Sequence, residues 1–138
     1  TLHLANRREE AIDVLQNTIP YNPFNIETFN ALGIAYLVNG DLINAVAAHT
    51  WSTMLDRNNE IPFFNLSLAY ERLAMYDWAI ESGKRAAELE PNNPHPWIAL
   101  AIAYQGQGDQ VSAKQIFQQA INVDSRYGDR DSLNYLSR

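Results

Sequence analysis

The chain has 138 residues, nearly half of them apolar, and its sixteen acidic against ten basic side chains give a net charge of −6. This length suffices for one domain's worth of core. The negative charge argues against nucleic acid or an anionic membrane surface as the main partner. The sequence has no cysteine, which excludes disulfides and thiolate metal sites.

The composition and the apolar pattern also bear on the cellular compartment of the protein. No apolar run approaches the roughly 18 residues that a membrane-spanning helix needs, so direct membrane insertion is not expected. The lack of cysteine fits a reducing compartment and favours the cytoplasm. The sequence begins with Thr1 rather than Met. A location in the periplasm or at a membrane, directed by a preceding segment, is therefore the alternative.

The first predicted element is a helix within residues 1–25, from about Arg7 to Thr18. Apolar side chains such as Ile12 and Leu15 recur there at the spacing that defines one helix face. A turn cluster rich in Pro and Asn follows, and its last residue, Asn25, is placed to cap the next helix.

Three units of 34 residues come next, at 26–59, 60–93 and 94–127. Each unit has an aromatic residue, a leucine, an Ala-Tyr pair and a later alanine at the same places. In chain order these residues are Phe29, Leu32, Ala35, Tyr36 and Ala45; Phe63, Leu66, Ala69, Tyr70 and Ala79; and Trp97, Leu100, Ala103, Tyr104 and Ala113. Within the first unit, Gly40 is suited to end one helix and Asp41 to cap a second, which predicts two helices per unit.

This arrangement resembles the tetratricopeptide repeat, whose unit is a pair of antiparallel helices. The resemblance implies an all-α, right-handed superhelical solenoid that buries its apolar faces between neighbouring units. Residues 1–25 are then a partial repeat that keeps mainly its second helix. Residues 128–138 are predicted to form a short capping half-helix.

Two residues of the predicted second helices depart from their counterparts. Gly83 stands where other units have larger residues, and since glycine there loses about 1 kcal/mol of helix propensity, we expect it to make room for Trp97 of the next unit. His49 lies at an inward position. It is predicted to be a hydrogen-bonded core residue rather than a ligand or a catalyst.

The sequence offers no pattern for catalysis, and neither a metal nor a cofactor is expected. His3, His49 and His95 are too far apart in the repeat register to meet at one metal ion. No nucleophile elbow and no phosphate-binding glycine loop occurs. The chain is therefore predicted to be non-enzymatic.

In the family that the chain resembles, positions two, five, nine and twelve of each first helix line a concave groove. The resemblance therefore implies the groove residues Glu27, Asn30, Ile34, Leu37, Ile61, Phe64, Leu68, Glu71, His95, Ile98, Ile102 and Gln105. This set is largely apolar and contains no Lys or Arg. We expect it to bind another protein through an apolar peptide or amphipathic helix with basic flanks. The alternative is that these side chains fill the inner curve between neighbouring first helices.

One version of the family grips the acidic carboxy terminus of Hsp70 or Hsp90 with a clamp of Lys, Arg and Asn side chains. At the matching places this chain has Asn30, Ile34, Asn65, His95 and Ala99, of which only Asn65 fits. Without the cations the groove cannot offset the desolvation of a buried carboxylate. Binding of these chaperone tails is not expected.

Trp51 and Trp78 fall at outward positions of second helices. Either neighbouring side chains half-cover them, or they mark a convex docking or self-association site. The rival to a peptide-binding adaptor is thus a structural solenoid that forms homo-oligomers, or an array whose groove is covered by another part of the same chain.

Overall fold

The computed structural model describes residues 25–128, together with five helical residues before them, at positions 10, 12, 13, 16 and 17. Residues 25–128 form six α-helices and one short 3-10 helix. These are α1 (Ile26–Asn39), α2 (Leu42–Leu55), α3 (Glu60–Arg72), α4 (Tyr76–Leu89), α5 (Pro94–Gln107), α6 (Gln110–Val123) and the 3-10 helix Ser125–Gly128. No strand occurs in this part of the chain.

The helices pack as antiparallel pairs, α1 with α2, α3 with α4, and α5 with α6. Each second helix also packs against the first helix of the next pair, and the first helices α1, α3 and α5 contact one another in sequence. This stacking confirms the all-α solenoid of helix pairs expected from the 34-residue period.

The two ends of the chain are described only in part. Ile12 is buried against Leu32, Tyr36 and Ala45, and the Gln16 side chain donates a hydrogen bond to the Tyr36 hydroxyl. Two of the described helical residues before α1 thus contact the first pair. The rest of the predicted partial repeat, and the predicted capping half-helix after residue 128, lie outside the described residues.

Each pair begins with an asparagine cap. The side chains of Asn25, Asn59 and Asn93 each accept a hydrogen bond from a backbone amide in the first turn of α1, α3 and α5, at 3.0 to 3.2 Å. These bonds satisfy amides that have no partner inside a helix. The caps fix where each first helix starts.

The turns inside the first and third pairs follow the rules that the sequence suggests. Gly40 and Gly108 take left-handed φ values of 81° and 90°, and the side chains of Asp41 and Asp109 then cap α2 and α6. Glycine adopts this conformation without the steric cost that a β-carbon adds.

The turn inside the second pair has different chemistry. Ala74 takes the left-handed conformation with φ 57°, and Met75 precedes α4 without any side-chain cap. A left-handed alanine costs about 1–2 kcal/mol and a missing cap about 1 kcal/mol. This turn is the least favourable of the three.

Facing positions within each pair are matched in size. Gly33 lies against the ring of His49, Ser67 lies against Gly83, and Ala101 belongs to the same core cluster as Phe117. In the first and third pairs a large side chain faces a small one, whereas in the second pair both residues are small and the backbone of Leu100 comes close to Gly83, which keeps the packing dense.

The structure corrects the expected neighbour of Gly83. A β-carbon placed there would lie 3.0 Å from the Ser67 hydroxyl oxygen and 3.3 Å from the backbone of Leu100, not against Trp97. The Trp97 indole instead donates a hydrogen bond to the Pro91 carbonyl at 2.9 Å, in the loop between α4 and α5. Gly83 makes room for a helix backbone rather than for a ring.

The contact between Gly33 and His49 predicts a non-additive pair of substitutions. A β-carbon at position 33 would fall 2.5 Å from two atoms of the His49 ring. Gly33→Ala should therefore lower the free energy of unfolding by about 1–3 kcal/mol, although alanine is the better helix former. In a His49→Ala background the same change should cost nothing.

Urea unfolding of the four proteins in this cycle measures the coupling. An equal cost of Gly33→Ala in both backgrounds would contradict the proposed packing of the ring on Gly33.

Candidate functional site

The residues predicted to line a groove lie on the first helices α1, α3 and α5. Ile34 on α1 and Ile61 on α3 have 43% and 48% of their surface exposed. Phe64 and Leu68 on α3 are half-buried beside them. These four large apolar side chains, Ile34, Ile61, Phe64 and Leu68, are hereafter called the apolar groove residues.

The remaining predicted groove residues differ in burial. Glu27 and His95 are exposed, while Asn30, Leu37, Glu71, Ile102 and Gln105 are half-buried. Ile98 is only 8% exposed and belongs to a core cluster with Phe117 and Ala120, against which Ile102 also packs. Ile98 on α5 therefore fits the alternative stated above, in which a predicted groove residue fills space between helices instead of facing a ligand.

A row of three rings links α3, α5 and the 3-10 helix. The centroids of Phe64 and His95 lie 6.3 Å apart, and those of His95 and Tyr127 lie 6.1 Å apart with perpendicular planes. The Tyr127 hydroxyl also hydrogen-bonds to Nδ1 of His95 at 3.1 Å. Tyr127 packs against the cluster that holds Ile98.

Tyr127 is a residue that the sequence analysis missed. It stands 34 residues after Asn93, where each pair has its asparagine cap. The presence of tyrosine at position 127, where the preceding units have a capping asparagine, was the sequence signal that could have identified this residue. The hydrogen bond to Tyr127 and the ring contacts fix the position of His95 in the middle of the row.

The charges near the groove are mainly negative. Partial burial raises the pKa of the Glu71 carboxyl above its ordinary value, and the neighbouring Arg72 offsets this only in part. The Arg72 guanidinium donates a hydrogen bond to the Leu37 carbonyl at 3.0 Å, which joins the ends of α3 and α1.

A second acidic group lies next to the 3-10 helix. Hydrogen bonds from the Arg126 side chain, followed by one from the Arg126 backbone amide, hold the pKa of Asp124 at about 2. The carboxylate of Asp124 is thus already paired with Arg126 through contacts of 2.6 to 3.1 Å.

The two tryptophans predicted to lie at convex positions have different surroundings. Trp51 is half-buried, and its ring centroid lies 5.9 Å from that of Phe29. Trp78 is 60% exposed and stacks on Tyr70 at 6.0 Å. Of the two alternatives for these residues, coverage by neighbouring side chains applies to Trp51. Trp78, in contrast, presents a large apolar surface to solvent.

His49 is a core residue with 0% exposure, as predicted. Its ring lies against Gly33, whose backbone interacts with the imidazole at a geometry outside that of an ordinary hydrogen bond. Burial lowers the pKa of His49 to about 4, and the Gly33 backbone offsets this only in part. A side chain without solvent contact cannot reach a substrate.

Residues 25–128 and the five earlier positions contain no group of three His, Cys, Asp or Glu side chains arranged to hold a metal ion. None of the described helices has the length and apolar character to cross a membrane.

Known proteins share this architecture. The family model of the tetratricopeptide repeat matches residues 94–127. Superkiller protein 3 of Saccharomyces cerevisiae is 25% identical over 119 residues, which are 85% of this chain and 8% of that protein. The chain therefore spans a small part of this relative's length.

Solved structures agree in fold. A crystal structure of MamA superposes with a TM-score of 0.81 over 88% of this chain and 66% of its own, at 21% identity. A MamA structure from MSR-1 gives 0.79 over 87% and 69%, at 28% identity. The Sgt2 TPR domain from Aspergillus fumigatus gives 0.75 over 81% and 74%, at 20% identity.

Residues 94–127 thus match the tetratricopeptide repeat, and the stacked helix pairs of the described chain share the fold of these solved repeat proteins. Repeat arrays of this kind present extended concave surfaces for protein–protein interaction. The family expected from the sequence is confirmed.

The buried imidazole of His49 predicts acid sensitivity. In the unfolded chain His49 binds a proton below about pH 6.5, but in the folded chain only near pH 4. Between these values the unfolded state holds more protons, so stability falls as the pH falls from 6.5 towards 4, by up to about 3 kcal/mol. Urea unfolding at about pH 7 and about pH 4.5 measures the loss.

Two variants separate this effect from other titrations. His49→Leu should flatten the dependence of stability on pH across this window, whereas His95→Gln, at an exposed histidine, should keep it. A His49→Leu protein with the same acid sensitivity as the parent would show that another group is responsible.

Proposed function

We propose that this chain is a non-enzymatic scaffold that holds an apolar segment of another protein in its concave groove. The observation that carries the proposal is the exposure of the apolar groove residues on adjacent first helices. Ile34 and Ile61 leave nearly half of their surface in water, which apolar side chains of this size avoid when a partner can cover them.

The geometry of the groove favours anchoring by side chains of the partner. Full burial of one Val, Leu, Ile, Phe or Met side chain contributes about 1.5–3 kcal/mol. Two or three such anchors on an extended or amphipathic helical segment would suffice for a specific complex of moderate affinity. Phe64 and Leu68, on the same helix as Ile61, are half-buried and would add to this apolar surface.

Charge sets the preferred flanks of that segment. The groove positions include Glu27 and Glu71 but no Lys or Arg. Basic flanking residues therefore suit this groove, whereas an acidic carboxy terminus of the Hsp70 or Hsp90 kind does not. Asn65, which alone matches the chaperone clamp, is buried at 7% exposure.

A catalytic role receives no support from the described residues. His49, whose pKa is strongly perturbed, has no solvent contact. Asp109 has a lowered pKa because its carboxylate accepts hydrogen bonds from Ser112 as the cap of α6. These shifts arise from packing and capping rather than from a reactive cleft.

The groove proposal predicts a specific pattern of binding defects. A probe peptide is first selected from a random dodecapeptide display library against the full chain. Ile34→Asp and Ile61→Asp should each weaken binding of that probe at least about tenfold, because each places an unpaired charge among apolar contacts. Fluorescence anisotropy gives the affinities, and thermal unfolding shows whether each variant stays folded.

Met54→Asp is the matched control, since Met54 is also exposed, at 63%, but lies on the second helix α2. It should bind the probe as the parent does. Binding should also change little with salt, because burial rather than ion pairing carries the affinity.

Three results would contradict the proposal. Loss of thermal stability in step with binding would assign these side chains to the core. Unchanged binding in Ile34→Asp and Ile61→Asp would place recognition elsewhere. A concentration-dependent dimer that Ile61→Asp abolishes would instead support the self-associating solenoid.

A further inference from the structure

The turn between α3 and α4 lacks the glycine and the capping aspartate that the turns inside the other two helix pairs have. At the equivalent turns, Gly40 and Gly108 take the left-handed conformation and an aspartate caps the next helix. Here Ala74 takes φ 57° and Met75 provides no cap. Both departures cost stability, and such costs without a packing gain mark candidate functional positions.

This turn exposes apolar surface and borders an open cavity of about 350 Å³. Met75 is 41% exposed and Trp78 is 60% exposed. The cavity is lined by Ala74, Met75, Tyr76, Asp77, Trp78 and Gln107. We call this cavity the turn pocket.

Neighbouring side chains hold the walls of the turn pocket in place. Tyr70 stacks on Trp78, with ring centroids 6.0 Å apart and planes inclined by 32°. The Tyr76 ring lies against Gly106 of α5, where a β-carbon would clash with the ring. The pocket is therefore built at the junction of the second and third helix pairs rather than on one mobile side chain.

The only charged group that lines the pocket, in the described part of the chain, is the Asp77 carboxylate. The Gln107 side-chain amide donates a hydrogen bond to it at 2.6 Å. No Lys, Arg or His among the described residues forms an ion pair with it. The carboxylate thus lies in the pocket beside the exposed indole of Trp78.

We propose that the turn pocket binds a lysine or arginine side chain from a basic segment of a partner protein. The aliphatic stem lies across Met75 and Trp78, and the cation lies next to Asp77. Long basic side chains combine an apolar stem with a charged head in this way, and they pair well with both aromatic faces and carboxylates.

Charge complementarity favours this occupant over a second copy of the chain. The net charge of −6 attracts a basic segment. Two copies joined through the same pocket would bring two Asp77 carboxylates together. The proposal does not depend on the groove, because Trp78 lies on α4, a second helix.

The test uses the full chain labelled with nitrogen-15 and a capped pentapeptide probe, Gly-Leu-Arg-Leu-Gly. The three indole N–H signals report on Trp51, Trp78 and Trp97 separately. Saturable shifts are expected at Trp78, whereas Trp51, which packs on Phe29, serves as the internal control. A probe with Gln in place of Arg should bind at least about fivefold more weakly.

Charge variants separate the pocket from general attraction. Asp77→Asn should weaken binding of the Arg probe about fivefold or more, since it removes the carboxylate and keeps an acceptor for Gln107. Glu27→Gln removes the same amount of charge from the groove and should leave binding unchanged. Raising the salt from about 50 to about 300 mM should weaken binding several-fold.

A third variant tests whether the unfavourable turn serves binding. Ala74→Gly combined with Met75→Ser gives the turn a glycine and a capping side chain like those of its neighbours. It should raise the melting temperature and weaken probe binding several-fold, because it removes the Met75 wall. A purely structural turn would gain stability without loss of binding.

Several results would overturn the proposal. The first two are that the Trp78 signal does not shift at millimolar probe, or that the Gln probe binds as tightly as the Arg probe. The other two are that Asp77→Asn and Glu27→Gln change binding equally, or that the Ala74→Gly and Met75→Ser double variant binds the probe as tightly as the parent. A Trp78 signal that depends on protein concentration without probe would assign the pocket to a second copy instead. None of these outcomes affects Ile34 and Ile61, so the groove proposal stands or falls separately.

Discussion

The close approach of neighbouring helices at small, fully buried residues is the constraint on which this structure depends. Ala45, Ala79 and Ala113 have no exposed surface, and each lies in the first turn of a second helix that packs on its first helix. A larger side chain there would separate the two helices and overpack the contact. Since the array has no single centre, its stability is a sum of such contacts between neighbours.

That constraint also determines which surfaces remain available. The side chains that join α1, α3 and α5 to their second helices cannot also face a ligand, so the uncovered face of the first helices carries the apolar groove residues. On α5 this face is partly used by the protein itself, because Ile98 packs with Phe117 and Tyr127 approaches from the 3-10 helix. The apolar residues at the predicted groove positions are most exposed on α1 and α3.

The period of 34 residues predicted the helix pairs, and the asparagine caps at Asn25, Asn59 and Asn93 lie where each first helix starts. Repeat register could not predict contacts that depend on the neighbouring pair. Gly83 meets the backbone of Leu100 because of how α4 and α5 cross, which no single unit encodes. Trp51 and Trp78 both lie on second helices and each has an aromatic neighbour, yet Trp51 is half-buried whereas Trp78 is 60% exposed.

The size matching inside each pair limits how this array can be recombined. The same contact inside each pair is made by a different combination of residues: Gly33 with His49, Ser67 with Gly83, and Ala101 with Phe117. A single helix moved between units would therefore face a residue that does not match it in size. Across the junction to the next unit, Gly83 also meets the backbone of Leu100, a contact that is particular to α4 and α5. Exchange of a single helix between pairs should therefore fail at these contacts, whereas moving a whole pair keeps its internal contacts intact.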